Sequence, residues 1–437
     1  MFNLKTFIMR FLHILTRKAA LLMLLFPLQL FSQLQLHQLI VASGGVFSNP
    51  NDFVSVAAYQ PGQQAYQSFG QIRTQAVQYA LVEGSSLYVA ATDSLVKFNS
   101  DTYQREGAIA VSGPRMLLIH GDLLFVSIQY PETSNFVRIY NKHTLQFLKS
   151  VPEISGEAAG MHYHNGKIYV AVPGNWMSTV GKLAILDASN GDFIEEVDFG
   201  NSGMGIFNFF VYDNQLVTVN KSAWGVSSGI ISFFDTQTKQ ISHINIPHYI
   251  GKGIEVYGDL LYLLVNNGIG SFNLITRQIV DTAIVPDPGS ANFIYFADVV
   301  FDKLAQNFYA TISDFFSLGN GLIYALDGQA TGTFQAGISA EALALDYRNV
   351  SSLAHVGAKR PLLYPNPAGS HPVVNVLADN PIKSIVINGI DGRFYGTVVN
   401  QQLSSDMALE VSYLPKGSYL IQVNYTDGSA AVVRFIK

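Results

Sequence analysis

The 437-residue sequence predicts an all-β chain: a seven-bladed β-propeller over residues 33–348, then a small β-sandwich over 361–437. Three observations carry that prediction. Aromatics make up 12% of the chain and charged residues only 13%, with 37 Gly, a mixture suited to many short half-buried strands. A short apolar phrase recurs seven times, roughly every 45 residues. No helix-period stretch of useful length interrupts the series.

The recurring phrase sets the blade count. It occurs as Leu39-Ile40-Val41-Ala42, Leu87-Tyr88-Val89-Ala90, Leu124-Phe125-Val126-Ser127 and Ile168-Tyr169-Val170-Ala171. It continues as Leu216-Val217-Thr218-Val219, Leu261-Tyr262-Leu263-Leu264 and Phe308-Tyr309-Ala310-Thr311, at successive intervals of 48, 37, 44, 48, 45 and 47 residues. A second strand follows each copy and runs into a polar turn, as in Leu95-Val96-Lys97-Phe98-Asn99 and Leu183-Ala184-Ile185-Leu186-Asp187. The closing Asn or Asp suits a turn because its side chain can bond the backbone two residues on. A further strand precedes most copies and ends in Gly121-Asp122, Asn165-Gly166, Asp213-Asn214 or Gly258-Asp259, pairs that tolerate positive φ. Each unit thus holds four short antiparallel strands, the pattern of a propeller blade. An eight-bladed wheel or an array of sandwiches is the alternative.

The circle closes from its far end. The first unit, beginning at Leu39, has no inner strand before it, and the segment 341–347, Glu341-Ala342-Leu343-Ala344-Leu345-Asp346-Tyr347, supplies one. That segment is expected to complete the first blade and cover its open edge.

The ends of the chain differ from this middle. Lys5, Arg10, Arg17 and Lys18 form a basic leader, followed by an apolar stretch over 19–31 that is too short to span a bilayer. Residues 1–32 therefore read as a signal peptide, with cleavage after Ser32 leaving Gln33 first; a retained anchor is the alternative. There is no cysteine, which excludes disulfides, thiolate metal sites, a Cys nucleophile and a lipidated N-terminal Cys. A net charge of −5 argues against nucleic acid, whose phosphates call for a basic face.

After the last unit, residues 349–360 are small and polar, as in a linker. Four motifs follow: Leu363-Tyr364-Pro365-Asn366-Pro367, Ile385 to Gly392-Arg393, Leu414-Pro415-Lys416-Gly417-Ser418-Tyr419, and the terminal Arg434-Phe435-Ile436-Lys437. Between them lie short alternating strands punctuated by Pro and Gly. In order and spacing, this run closely resembles the type A C-terminal sorting domain of the type IX secretion system. Tyr364, Pro365, Asn366, Pro367, Gly392, Arg393, Leu414, Gly417, Tyr419 and Lys437 carry the match. The resemblance implies an immunoglobulin-like sandwich, recognition by outer-membrane secretion machinery, and export to the cell surface or beyond. It also implies removal on export, often with transfer of the protein to surface lipopolysaccharide. The propeller, by repeat length, resembles the surface-layer and quinoprotein-like seven-bladed group.

No catalytic signature stands out: the P-loop, Rossmann, HExxH and GxSxG patterns are absent. His162 and His164 share a strand face next to Asn165-Gly166 but lack a third ligand, so solvated histidines are expected and no metal site. Quinone enzymes of the resembling group carry a tryptophan in every blade, and many a disulfide; two Trp and no Cys speak against such a cofactor, and none is expected. In a propeller, the loops joining blades and those after each second strand gather on one face. Tyr130, Trp176, Trp224 and Phe315 fall in these loops, and Arg115, Glu157, Lys252 and Glu255 fall near blade junctions. Aromatics flanked by Gly and Asn suit stacking on a sugar or a peptide, or they cap blade edges as local plugs. The expectation is a non-enzymatic module binding an extracellular glycan or protein. The rival is a polysaccharide glycosidase or lyase, which as a glycosidase needs two carboxyls roughly 5–10 Å apart.

Overall fold

The computed structural model describes residues 32–437 except 47, 224, 352–360, 379, 391–392 and 427–429. The expected signal segment lies outside these residues, apart from Ser32, which opens the first strand. Seven four-stranded sheets follow one another along the chain. Their second strands are Ser32–Ser43, Ser86–Ala91, Leu123–Ile128, Lys167–Val172, Gln215–Asn220, Leu260–Val265 and Asn307–Ser313, so all seven copies of the phrase fall at one position of the blade. The third strands, such as Ser94–Asn99 and Lys182–Asp187, hold the companion phrase.

Burial explains the phrase. In blade 4, Ile168, Val170 and Val172 pack against Phe125, Val137 and Ile139 of blade 3, while Tyr169 and Ala171 pack against Leu216 and Phe234 of blade 5. Alternate side chains of one strand leave opposite faces of its sheet. A strand sandwiched between two blades is therefore apolar without a break. Equivalent clusters fill the other five interfaces: blades 1 and 2, 2 and 3, 5 and 6, 6 and 7, and 7 and 1, where Tyr309, Ile323 and Phe334 meet Leu39, Val41 and Tyr59. Seven blades with seven filled interfaces form a closed ring.

The closing strand is Ala342–Ser351, and the first sheet runs closing strand, Ser32–Ser43, Val54–Gln60, Ala65–Ile72. The last strand of the ring thus occupies the innermost position of the first blade. It extends four residues beyond the expected end at Tyr347, so residues 349–351 continue a strand rather than begin a linker. Polar side chains bolt it at both sides. Gln38 donates to buried Asp346 at 2.8 Å, Arg348 reaches Ser100 Oγ at 2.7 Å and Asp101 at 3.1 Å in blade 2, and Tyr347 donates to Asp302 of blade 7 at 2.9 Å.

The chain divides into two compact units, with the break after Arg348. In the C-terminal unit a three-stranded sheet, Leu362–Tyr364, Val373–Leu377 and Asp406–Glu410, faces a four-stranded sheet of Phe394–Val399, Ile382–Gly389, Ser418–Tyr425 and Ala430–Ile436. Leu363, Val374, Val376 and Leu409 of the first sheet share a core with Ile385, Ile387, Ile421, Val423 and Phe435 of the second. This is a β-sandwich.

Candidate functional site

The blade-to-blade loops and the loops after each second strand leave the sheets on the same side, here called the upper face. The inner strands line the channel beneath it: Val77–Glu83, Pro114–His120, Met161–His164, Ile206–Tyr212, Ile250–Tyr257, Tyr295–Asp302 and the closing strand.

Arg115 is the second residue of its inner strand, directly below the upper face. Its guanidinium donates to the Ala158 carbonyl at 3.5 Å and lies 4.9 Å from the centre of the Phe207 ring in blade 5. Burial lowers it to about 10, and the nearby Glu157 carboxylate only partly opposes that. The side chain therefore bridges from blade 3 past the start of blade 4 to blade 5. Gly160 permits the approach: its N–H bonds the Phe207 carbonyl at 2.8 Å, and a Cβ there would meet Asn208 Cα at 2.8 Å. Lys221, just past the second strand of blade 5, sets its ammonium 5.5 Å from the same Phe207 ring. Burial lowers its pKa too, and the Arg115 charge adds to the effect.

Across the channel the charge is reversed. Lys252 ion-pairs with Asp298, a carboxylate only 7% exposed in the inner strand of blade 7. Glu341, one residue before the closing strand, is pushed up to about 7 by burial and then by the Asp298 charge. Tyr79 of blade 2 is pushed up to about 12 by burial, with Asp298 and Glu255 adding to it.

Of the residues singled out in the sequence, Arg115, Glu157 and Lys252 belong to these charged groups. Phe207, Lys221, Asp298 and Glu341 were not among them. The readable signals were a lone Asp inside the apolar run 296–301 and a Lys directly after an apolar strand. Glu255 ion-pairs with Lys303 at 3.1 Å, in the turn that follows the inner strand of blade 7, and its charge also acts on Tyr79.

The aromatic loops are on the upper face. Tyr130 is 79% exposed, Trp176 71% and Phe316 70%. Phe315 instead half-buries itself against Tyr295, ring centres 6.4 Å apart. It behaves as a plug, and its neighbour Phe316 takes the outward position. Phe293, 73% exposed in the loop into blade 7, joins this set unforeseen. Trp224 lies outside the described residues. His164 bonds Asn214 at 3.1 Å, and His162 meets Phe209 edge-on with ring centres 6.3 Å apart, so the two imidazoles are engaged separately. Two cavities, about 580 and 1310 Å³, open between outer strands, of blades 2 and 3 and of blades 7 and 1. Neither includes a channel residue.

In the C-terminal unit the motif residues serve the terminal strand. Asn366 donates to the Arg434 carbonyl at 2.8 Å and accepts from the Ile436 N–H at 3.0 Å. Gly417 and Lys437 exchange backbone hydrogen bonds of 3.1 and 2.9 Å. The Tyr419 hydroxyl donates to the Pro415 carbonyl at 2.5 Å. Leu414 is in the core. Tyr364 is 68% exposed, and Gly392 lies outside the described residues.

Fold and tail together define an exported β-propeller protein. Residues 362–437 match the family of secretion system C-terminal sorting domains, which marks the chain for the type IX secretion machinery and for the cell surface or beyond. No curated protein matches the chain. Among solved structures, the extracellular domain of a putative hybrid two-component system, BT4673 from B. thetaiotaomicron, aligns with a TM-score of 0.51 at 10% identity, covering 91% of this chain and 57% of its own. The computationally designed Ika8 protein aligns with a TM-score of 0.47 at 10% identity, covering 93% and 99%. PorZ, a surface component of the type IX secretion system of Porphyromonas gingivalis, aligns at 0.46 and 11% identity, covering 92% and 58%. At these identities the likeness to BT4673 is one of fold alone. No helix among the described residues is long and apolar enough to cross a membrane.

Proposed function

We propose that the exported propeller is a non-enzymatic binding or adhesion module that engages an extracellular glycan or protein through its upper face. One observation carries this reading: Tyr130, Trp176, Phe293 and Phe316 are all large, aromatic and mostly exposed, and all belong to upper-face loops. Scattered exposed apolar residues need no explanation, but aromatics concentrated on one loop face beside a polar channel are the usual material of a recognition surface. The test is a glycan and peptide screen on the purified chain. Trp176→Ala and Tyr130→Ala should each weaken a detected interaction tenfold or more while leaving the melting temperature in place. Undiminished binding in both variants would remove the upper face from consideration.

A second reading, a polysaccharide-degrading enzyme, has one observation in its favour. Glu341 is held near neutrality beside Asp298, which is paired to Lys252. Carboxyls driven apart in this way are the pattern of a general acid and its partner. Release of reducing ends from a polysaccharide, abolished in Glu341→Gln, would establish that reading over the first.

A further inference from the structure

Arg115 and Lys221 are like charges brought to one aromatic ring. They come from blades 3 and 5, and both approach Phe207, at 4.9 and 5.5 Å from its centre. Among the described residues neither enters an ion pair. The remaining contact of the guanidinium is one long hydrogen bond to a carbonyl. Among the described residues Lys221 Nζ has no hydrogen-bonding partner. Glu157 acts on Arg115 only through space. Both side chains are half-buried rather than sealed, as expected of groups on the wall of an open channel.

Two partly desolvated cations that repel one another, with the Glu157 carboxylate acting on one of them only through space, are an unfavourable arrangement. The negative face of one phenyl ring offsets it in part. A bound anion would relieve it fully. The guanidinium fork suits a carboxylate or sulfate, with its two oxygens side by side, and the ammonium supplies a second point of charge. Arg115 and Lys221 belong to the upper end of their blades, the same face whose loops carry the exposed rings Tyr130, Trp176, Phe293 and Phe316. Rings for stacking and a paired cation for an acid group match one ligand class.

We infer that Arg115 and Lys221, gathered on Phe207, form an anion subsite that takes the carboxylate or sulfate of an acidic saccharide. This rests on the binding reading above and names its ligand class. The experiment screens the full chain against neutral, uronate-bearing and sulfated oligosaccharides and acidic peptides, then titrates the best saccharide calorimetrically beside its carboxyl-reduced or desulfated form. The acidic saccharide should bind at least tenfold more tightly than its neutralised form. Lys221→Met, which keeps the stem and removes the charge, should cost tenfold or more for the acidic form only and flatten its salt dependence. Arg115→Lys, which keeps the charge and loses the fork, should cost several-fold. Retained melting temperatures exclude misfolding as the cause. Equal affinity for charged and neutralised saccharides, with Trp176→Ala still abolishing binding, would overturn the subsite and leave the binding face intact. Binding confined to acidic peptides would overturn the saccharide assignment. No binding to any probe would remove both readings.

Discussion

Asp298 accepts the backbone N–H of Leu343 at 2.7 Å through Oδ2, and its Oδ1 holds the Lys252 ammonium and its neighbour's N–H at 2.8 Å. One buried carboxylate thus joins blade 6, blade 7 and the strand that closes blade 1. Replacing Asp298 by Ala strands a lysine and a buried amide without partners. Removing one member of a buried pair costs about 3–5 kcal/mol, and an orphaned amide about 1–3 more, with overlap between the two. Chemical denaturation should therefore show Asp298→Ala losing at least 3 kcal/mol. A loss under 1 kcal/mol would mean that the clasp contributes little to closing the ring.

The neighbouring Glu341 gives stability a pH dependence of definite sign. Its carboxyl is raised from the usual 4.5 to about 7, by burial first and by Asp298 second. A raised carboxyl binds its proton more tightly in the folded chain than in the unfolded one. Its contribution is therefore complete below about pH 4.5 and is lost as pH rises through 7. The side chain is mostly but not fully buried, so water screens part of the effect and the size is about 2 kcal/mol. Glu341→Gln should remove this fall between pH 4.5 and 7, read as a flatter plot of melting temperature against pH. An unchanged slope would show that the carboxyl titrates normally.

Gly113 aims the strand that carries Arg115. Its φ is +65°, and a Cβ there would lie 2.3 Å from the Gln129 carbonyl oxygen, an atom that cannot move without the backbone it belongs to. Gly113→Ala meets a conformational penalty and a clash together. It should destabilise by about 2–3 kcal/mol and shift the loop above Arg115, lowering ligand affinity along with the melting temperature. Gly84, with φ +56° but open space around its Cβ, is the comparison: Gly84→Asn should cost under 1 kcal/mol and leave binding unchanged.

These positions show which parts of the molecule the sequence reveals. The blade count was legible because Tyr169 and Ala171 face one neighbour while Ile168 and Val170 face the other, so each second strand is an unbroken apolar run between polar turns. The closing strand was legible because the first unit lacked an inner partner. The channel was mostly not. Phe207 and Lys221 acquire their meaning from Arg115, 92 and 106 residues earlier in the chain, and no local pattern records that three blades converge there. The partner of Glu255 was equally hidden: its place along the strand, not its residue type, brings it to Lys303. Phe315 and Phe316 looked equivalent in sequence, and the positive φ of Phe315 decides which one turns inward.

The C-terminal unit allows a test independent of any ligand. Asn366 uses both ends of its amide on the terminal strand, donating to Arg434 O and accepting from Ile436 N–H. The Ala368 N–H adds a bond to the Ile436 carbonyl at 2.8 Å. The Tyr-Pro-Asn-Pro opening and the last strand are therefore one structural element, though 68 to 70 residues apart. Asn366→Ala removes two partly exposed hydrogen bonds, worth about 1–2 kcal/mol together, and should loosen the strand that ends at Lys437. Fractionation of cells expressing this variant should find more of the chain retained inside the outer membrane and less at the surface or in the medium. Asn366→Asp, which keeps the acceptor and loses the donor, should be intermediate. Normal export of both variants would separate the recognition of this tail from the clamp that Asn366 places on its final strand.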